Sequence, residues 1–319
     1  MESSLDRIRI GNAPCSWGTL EFGPLKDERI AWATMLDELA EAGYTGTELG
    51  DWGFFPTDAH HLAAALAERS LDLTGAYVGS RLEDAAQRDE IVEHNLMIAR
   101  QLRAVADLNH QDHVPFLVVA ADNGTDPVRI RYAGRITPAM ELEGALWPVL
   151  GETINRIAGA ARDEAGIASV VHFHAAGWLE TPREIERLLE HVGDHVNLVF
   201  DTGHFALGAG RADTVLATMD RLAARIGYVH FKDWSSRIAS EVAEEGLDYF
   251  EAVAKGVFCE LGQGDVDFPA VRDWLLRTGY TSYVTVEQDV VAGLGSPFES
   301  AQRNRRYLAD IGFVNELRN

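Results

Sequence analysis

Residues 196–233 read VNLVFDTGHFALGAGRADTVLATMDRLAARIGYVHFKD. The run VNLVFDT from Val196 is apolar and rich in Val and Phe, as a buried strand requires. IGYVHFKD from Ile226 has the same character. Between them, residues 214–225 carry apolar side chains at helical spacing. A strand, a helix and a second strand in this order predict a parallel βαβ unit with its helix outside the sheet. Both strands end in polar groups. The first ends in Asp201, followed by His204; the second ends in His230, followed by Lys232 and Asp233.

Outward from this unit the pattern repeats. Further strand-like runs are IRIGNAP from Ile8, YTGTEL from Tyr44, LDLTGAYV from Leu71, PFLVVAA from Pro115, ASVVHFHA from Ala168 and SYVTVEQD from Ser282. Helical patterns lie between them. ERIAWATMLDELAEAG (28–43) ends at Gly43, a C-cap residue. TDAHHLAAALAERS opens at Thr57, read as its N-cap. TPREIERLLEHVG has Thr181 as N-cap, Pro182 at the first position and Glu184 three residues after the cap. The remaining helical stretches are 83–109, 138–164, 268–278 and 297–311. Eight strands and eight helical regions alternate along the 319 residues. The expected fold is therefore α/β, a single (β/α)₈ TIM barrel over residues 1–319. At about 150 residues per domain the length suggests two domains, but barrels reach this size as one. No Pro/Gly/Ser-rich linker divides the chain. GAGRAD after Leu207 is not a dinucleotide fingerprint, because it follows a loop rather than a strand.

Composition excludes several classes of function. Asp and Glu number 50 against 28 Lys and Arg, a net charge of −22. Such a balance disfavours nucleic acid, whose phosphates need cationic groups to displace counterions. It equally disfavours docking on an anionic membrane. Cys15 and Cys259 are the only cysteines, too few for a disulfide framework or a multi-cysteine zinc site. Residues 1–17 lack a signal-peptide apolar core, and no stretch of about 18 apolar residues could span a bilayer. The cytoplasm is the expected compartment.

In such a barrel the chemistry sits at the C-terminal ends of the strands. The second strand ends in Glu48 and the fifth carries His172 and His174. Asp201, His204, His230, Lys232 and Asp233 follow on the sixth and seventh, and Glu287 and Asp289 on the eighth. Residues two apart on a strand share a face, so His172 and His174 are both expected at the barrel mouth. A buried set of imidazoles and carboxylates is costly without a compensating cation. One divalent ion would supply it, and mixed His/Asp/Glu ligation suits Mn²⁺, Co²⁺, Zn²⁺ or Mg²⁺. Other roles compete for some of these residues. His204 is alternatively a loop-ordering residue, and Glu48 a partner for a nearby cation. His60, His61, His94, His110, His113, His191 and His195 fall in helices or loops and are expected to face solvent. Trp17, Trp52 and Trp178 follow strands and suit a pocket wall that excludes water, whereas Cys15 reads as a small packing residue.

Taken together, the segments resemble the xylose-isomerase-like barrel superfamily. The matching metal strands are DTGH (201–204), the VH before Lys232 and VTVEQD around Glu287. A nearer resemblance is to the inosose dehydratase subfamily. It rests on NAPCSWGTLEF (12–22), TELG (47–50), DTGHFALGAG (201–210), HFKD (230–233), GVFCELGQGDVDFPAV (256–271) and VEQD (286–289). The superfamily implies one metal ligand from each of the last four strands: His172, Asp201, His230 and Glu287, with His174 competing for the place of His172. Mn²⁺ or Co²⁺ is the favoured ion. The subfamily implies a cyclic polyhydroxy ketone, 2-keto-myo-inositol, dehydrated through an enediolate in inositol catabolism. His174, His204, Glu48 and Lys232 are then the catalytic candidates, and Trp17, Trp52, Asp233 and Trp178 the substrate-binding ones. This chain reads HFHAAGW where the subfamily form is HPHVGT-like. The runner-up activity is a metal-dependent ketose or sugar-phosphate isomerase or epimerase, which shares the enediolate but returns the proton. An apurinic-site endonuclease and a non-catalytic binding barrel are the further alternatives. Relatives commonly form dimers or tetramers, so a homo-oligomer is among the expectations.

Overall fold

The computed structural model describes residues 8–18, 30–289 and 295–313. Eight parallel strands close into a barrel. In chain order they are β1 (Arg9–Asn12), β2 (Gly46–Glu48), β3 (Asp72–Ser80), β4 (Phe116–Ala121), β5 (Ser169–His172), β6 (Asn197–Asp201), β7 (Ile226–Phe231) and β10 (Tyr283–Val286). Each pairs with its neighbours in sequence, and β10 closes on β1 with Ile10 opposite Val284. These strands are buried on both sides, which is why they read as continuous apolar runs rather than alternating ones.

Helices cover the outside: α1 (Trp32–Glu41), α2 (Ala59–Ala67), α3 (Arg88–Leu108), α4 (Pro127–Arg131), α5 (Trp147–Ala160), α6 (Pro182–Leu189), α7 (Thr202–Ala209), α8 (Val215–Arg221), α9 (Ser236–Glu245), α10 (Tyr249–Ala254), α11 (Phe268–Thr278) and α12 (Pro297–Asp310). The capping box expected at Thr181 and Glu184 is formed. The cap of α2 is Asp58 rather than Thr57, its carboxylate accepting from His61 N. A carboxylate there also complements the helix dipole. Residues 28–29, which open the first expected helix, lie outside the described residues. The sequence reading does not include α4, α7, α9 and α10, of which α4 and α10, at five and six residues, are too short to show a period. It also misses a small two-stranded antiparallel sheet, β8 (Asp233–Trp234) with β9 (Phe258–Cys259), whose strands flank α9 and α10 between β7 and α11.

The barrel lumen is filled, not hollow. Val118, Val170, Val199, Tyr228 and Tyr283 form its own apolar cluster. Tyr228 bonds Thr74 Oγ1 at 3.2 Å and also Thr285 Oγ1. Its ring supports His230 one layer above, with centroids 4.9 Å apart. The lower lumen is thus a packed floor, and the polar groups at the strand ends sit on it. Two histidines expected in solvent are half-buried instead. His113 packs on Tyr283 and Phe116, and His191 lies over Trp147.

Candidate active site

The C-terminal strand ends converge as the barrel topology requires. His172, Asp201, His230 and Glu287 are buried, and one ligand-capable atom from each lies within 4.8 Å of the others. Asp201 explains part of the DTGH pattern. Its Oδ1 accepts from His204 N at 2.7 Å and caps α7. Its Oδ2 is buried without a hydrogen-bond partner and lies 3.8 Å from His172 Nε2 and 4.0 Å from His230 Nδ1. Gly203 is small for a reason: a Cβ there would stand 2.6 Å from Lys232 Cγ. Thr202 Oγ1 accepts from Lys232 N and donates to Lys232 O, clipping β6 to the end of β7.

His230 is held from behind. Its Nε2 donates to Glu48 Oε1 at 2.8 Å, which aims Nδ1 at the cluster, 3.1 Å from Glu287 Oε1. Burial works to lower the His230 pKa, but Glu287 and Glu48 outweigh it and push it up to about 10. The carboxylates therefore hold a proton where a cation would otherwise sit. Burial and His230 depress His172 well below the usual imidazole range. Burial raises Asp201 to about 7. The unpartnered Asp201 Oδ2, with His172 Nε2, His230 Nδ1 and Glu287 gathered around it, is the donor set of a divalent-metal site. The residues present fit such an ion.

Lys232 stands beside this cluster. Its ammonium lies 3.2 Å from both oxygens of Asp289, 3.3 Å from Glu287 Oε2 and 3.2 Å from His204 Nε2. It also rests over the Phe258 ring at 4.9 Å. Burial opposes its charge, but Asp289, Glu287 and Asp201 keep it protonated, with a pKa well above the ordinary lysine value.

His174 lies outside the four-residue set. β5 ends at His172, so His174 stands in the following loop rather than on the strand. Its Nδ1 donates to Ala175 O at 2.7 Å, the tautomer in which Nε2 carries a lone pair. Burial and the nearby Lys232 lower its pKa to about 3, so the ring is neutral. It lies against His204 with centroids 3.8 Å apart. The mouth cavity is lined by Cys15, Glu48, Asp51, Tyr77, Asn123, His172, His174, Lys232, Glu287 and Asp289, together with Ala13, Pro14 and Gly50.

Residues 36–315 match the model of the xylose isomerase-like TIM barrel family. The chain belongs to that family. Among curated relatives, the inosose dehydratase of Geobacillus kaustophilus is 30% identical over 309 residues, spanning 97% of this chain and 96% of its own length. That of Glaesserella parasuis serovar 5 is 28% identical over 314 residues, spanning 97% and 99%. Among solved structures, a xylose isomerase-like TIM barrel protein from Mycobacterium smegmatis in complex with magnesium superposes with a TM-score of 0.66. It is 16% identical, with 98% of this chain and 99% of that one covered.

Not every expected site residue of this family member reaches the cavity. His204 is fully buried behind it, its Nδ1 accepting from Ala175 N at 3.2 Å and its Nε2 facing Lys232. Trp17 turns into the core, where its indole N–H donates to Glu38 at 2.7 Å. Trp52 is exposed in an outer groove beside Met97 and His94. Trp178 covers the Arg129 guanidinium at 5.6 Å. Asp233 is a loop organiser whose two oxygens accept from Trp234, Gly262, Gly264 and Val266 N–H groups. The GQGD segment wraps this carboxylate, so its glycines serve a turn rather than a ligand. The lining residues that sequence reasoning passes over are Asp51, Tyr77 and Asn123. Tyr77 and Asn123 lie near the ends of β3 and β4, a position that signals a mouth residue.

Proposed function

We propose that this chain is a metal-dependent hydro-lyase that removes water from a neutral cyclic polyhydroxy ketone, 2-keto-myo-inositol, in inositol catabolism. The observation that carries the reading is the charge of the mouth. Glu48, Asp51, Glu287 and Asp289 face it against the single cation Lys232, and no arginine is among its described lining residues. Such a pocket repels phosphate and carboxylate groups and suits hydroxyls, which carboxylates bind as acceptors. The full-length similarity to inosose dehydratases supports the same substrate. A sugar-phosphate isomerase would need phosphate-binding cations here. A nucleic-acid substrate conflicts with the net charge of −22. No helix among the described residues is long and apolar enough to cross a membrane, and we place the chain in the cytoplasm.

His172, Asp201, His230 and Glu287 would hold the ion, with Mn²⁺ or Co²⁺ preferred. When bound, it supplies Lewis acidity toward a ketone and an adjacent hydroxyl. Glu48 fixes the tautomer and orientation of His230 rather than acting on substrate. His174 is the base: Nε2 is free, the ring is neutral, and Ala175 O orients it. It removes the proton from the carbon beside the carbonyl. The Lys232 ammonium, locked by Asp289, donates to the oxygen on which negative charge develops. The β-hydroxyl then leaves as water, taking the proton returned by His174, so the imidazole ends neutral. Tyr77 walls the histidine pair, 5.8 Å from His172 and 6.1 Å from His174, and excludes bulk water.

The test is an absorbance assay on 2-keto-myo-inositol with metal-stripped and Mn²⁺-reloaded protein. A conjugated product that forms only after reloading supports the reading. Absence of product from the reloaded protein, alongside epimerisation of a free ketose, overturns it.

A further inference from the structure

The loop that carries His174 is tied to a buried ion pair that never touches the cavity. α4 is capped by Asp126, whose Oδ1 accepts from Val128 N and Arg129 N, and this fixes the Arg129 backbone. The Arg129 side chain is fully buried. Its Nη1 and Nη2 donate to Glu184 Oε1 and Oε2 at 2.8 and 3.0 Å, and its Nε donates to Gly177 O at 2.8 Å. Trp178 covers the guanidinium face. Glu184 Oε2 also accepts from Glu180 N and Thr181 N. Glu180, in turn, accepts from Ala176 N at 2.8 Å and Gly134 N at 2.7 Å.

The 174–181 loop is therefore tied to the ion pair at Gly177, Glu180 and Thr181. Ala176 sits at φ +60, a left-handed conformation that a non-glycine residue adopts only when its surroundings hold it there. Gly177 passes so close to β4 that a Cβ would stand 3.2 Å from Asp122 O. His174 N donates to Leu179 O and Gly177 N to His174 O, so a shift at Gly177 moves His174 directly. Buried ion pairs are weak sources of stability, and apolar replacements of both partners are often neutral. What the planar, bidentate fork supplies is geometry.

The geometry points to Arg129 as a positioning residue for His174, acting through Gly177 and Glu184. This rests on the reading of His174 as the base. Two variants test it: Arg129→Lys, which keeps the charge but loses the fork, and the pair Arg129→Met with Glu184→Gln, which removes both charges of the ion pair together. Each is compared with wild type for kcat, KM, Mn²⁺ stoichiometry and thermal unfolding. The imidazole NMR signals of the Mg²⁺-loaded protein are recorded as well. The expected result is folded protein with full metal stoichiometry and little change in KM. kcat falls by about 10–10²-fold, the cost of a misplaced catalytic group. The His174 signals shift while those of exposed His94 do not. A folded variant with wild-type kcat and unmoved His174 signals overturns the proposal. So does failure of both variants to fold, which would make Arg129 a stability residue. If wild type itself shows no dehydration, it is the functional reading that fails, and the His174 signals alone decide the anchor.

Discussion

Glu48 is the residue whose role the structure changes most, and two substitutions measure that role. Its Oε1 accepts from His230 Nε2 at 2.8 Å in a buried setting. Glu48→Gln keeps an acceptor there and removes the charge. A hydrogen bond to a charged group contributes about 1.5–3 kcal/mol and a neutral one about 0.5–1.5, so the loss is about 1–1.5 kcal/mol. At about 1.4 kcal/mol per decade, Mn²⁺ should bind roughly fivefold to tenfold more weakly. Glu48→Ala removes the bond and frees the ring, and the loss should approach 10²-fold, the upper range for groups that orient a ligating histidine. Calorimetric titration of metal-stripped protein with Mn²⁺ gives both numbers. Wild-type affinity in both variants, combined with collapsed turnover, would refute the assignment and return Glu48 to the substrate as an acid or base.

His174→Ala should lower kcat by about 10²–10⁴-fold, the usual worth of a general base, with Mn²⁺ stoichiometry intact in the same titration. Ala176→Gly relieves a left-handed alanine and should raise stability by up to about 1 kcal/mol in urea unfolding, after the entropy cost of glycine. His113 has its pKa lowered to about 4, burial being the main cause, against about 6.5 when unfolded. The unfolded state binds the proton first, so this contribution is complete above pH 6.5 and is lost as pH falls toward 4. Its ceiling is about 3 kcal/mol, reduced by the ring's partial exposure. A His113→Phe variant should therefore show a shallower loss of stability across that window. Chelation should abolish turnover, and Mn²⁺ or Co²⁺ should restore it, followed by the absorbance of the conjugated product.

The barrel is legible in the sequence because its strands are buried on both faces and its longer helices carry capping signals. Thr181–Glu184 is the clearest case. The metal cluster is legible for a related reason: a strand end fixes where a side chain points, so Asp201, His230 and Glu287 can be placed without knowing the loops. Loops are where residue type ceases to be informative. Trp17, Trp52 and Trp178 all follow strands, yet one turns inward to Glu38, one turns outward and one covers Arg129. Asp233 follows His230 by three residues, but the backbone N–H groups of 262–266 claim it. His172 and His174 differ by two positions, and only the Nδ1 bond to Ala175 O assigns the second a free Nε2. Glu38, Arg129 and the 262–266 N–H groups stand far in the chain from the residues they claim, and local patterning does not record such partners.

The most direct test of the central claim is the mass of the product formed from 2-keto-myo-inositol by the Mn²⁺-loaded protein in D₂O. The account predicts a product lighter than the substrate by one water. A product that keeps every oxygen and gains a single deuterium at carbon would show epimerisation, and would contradict it.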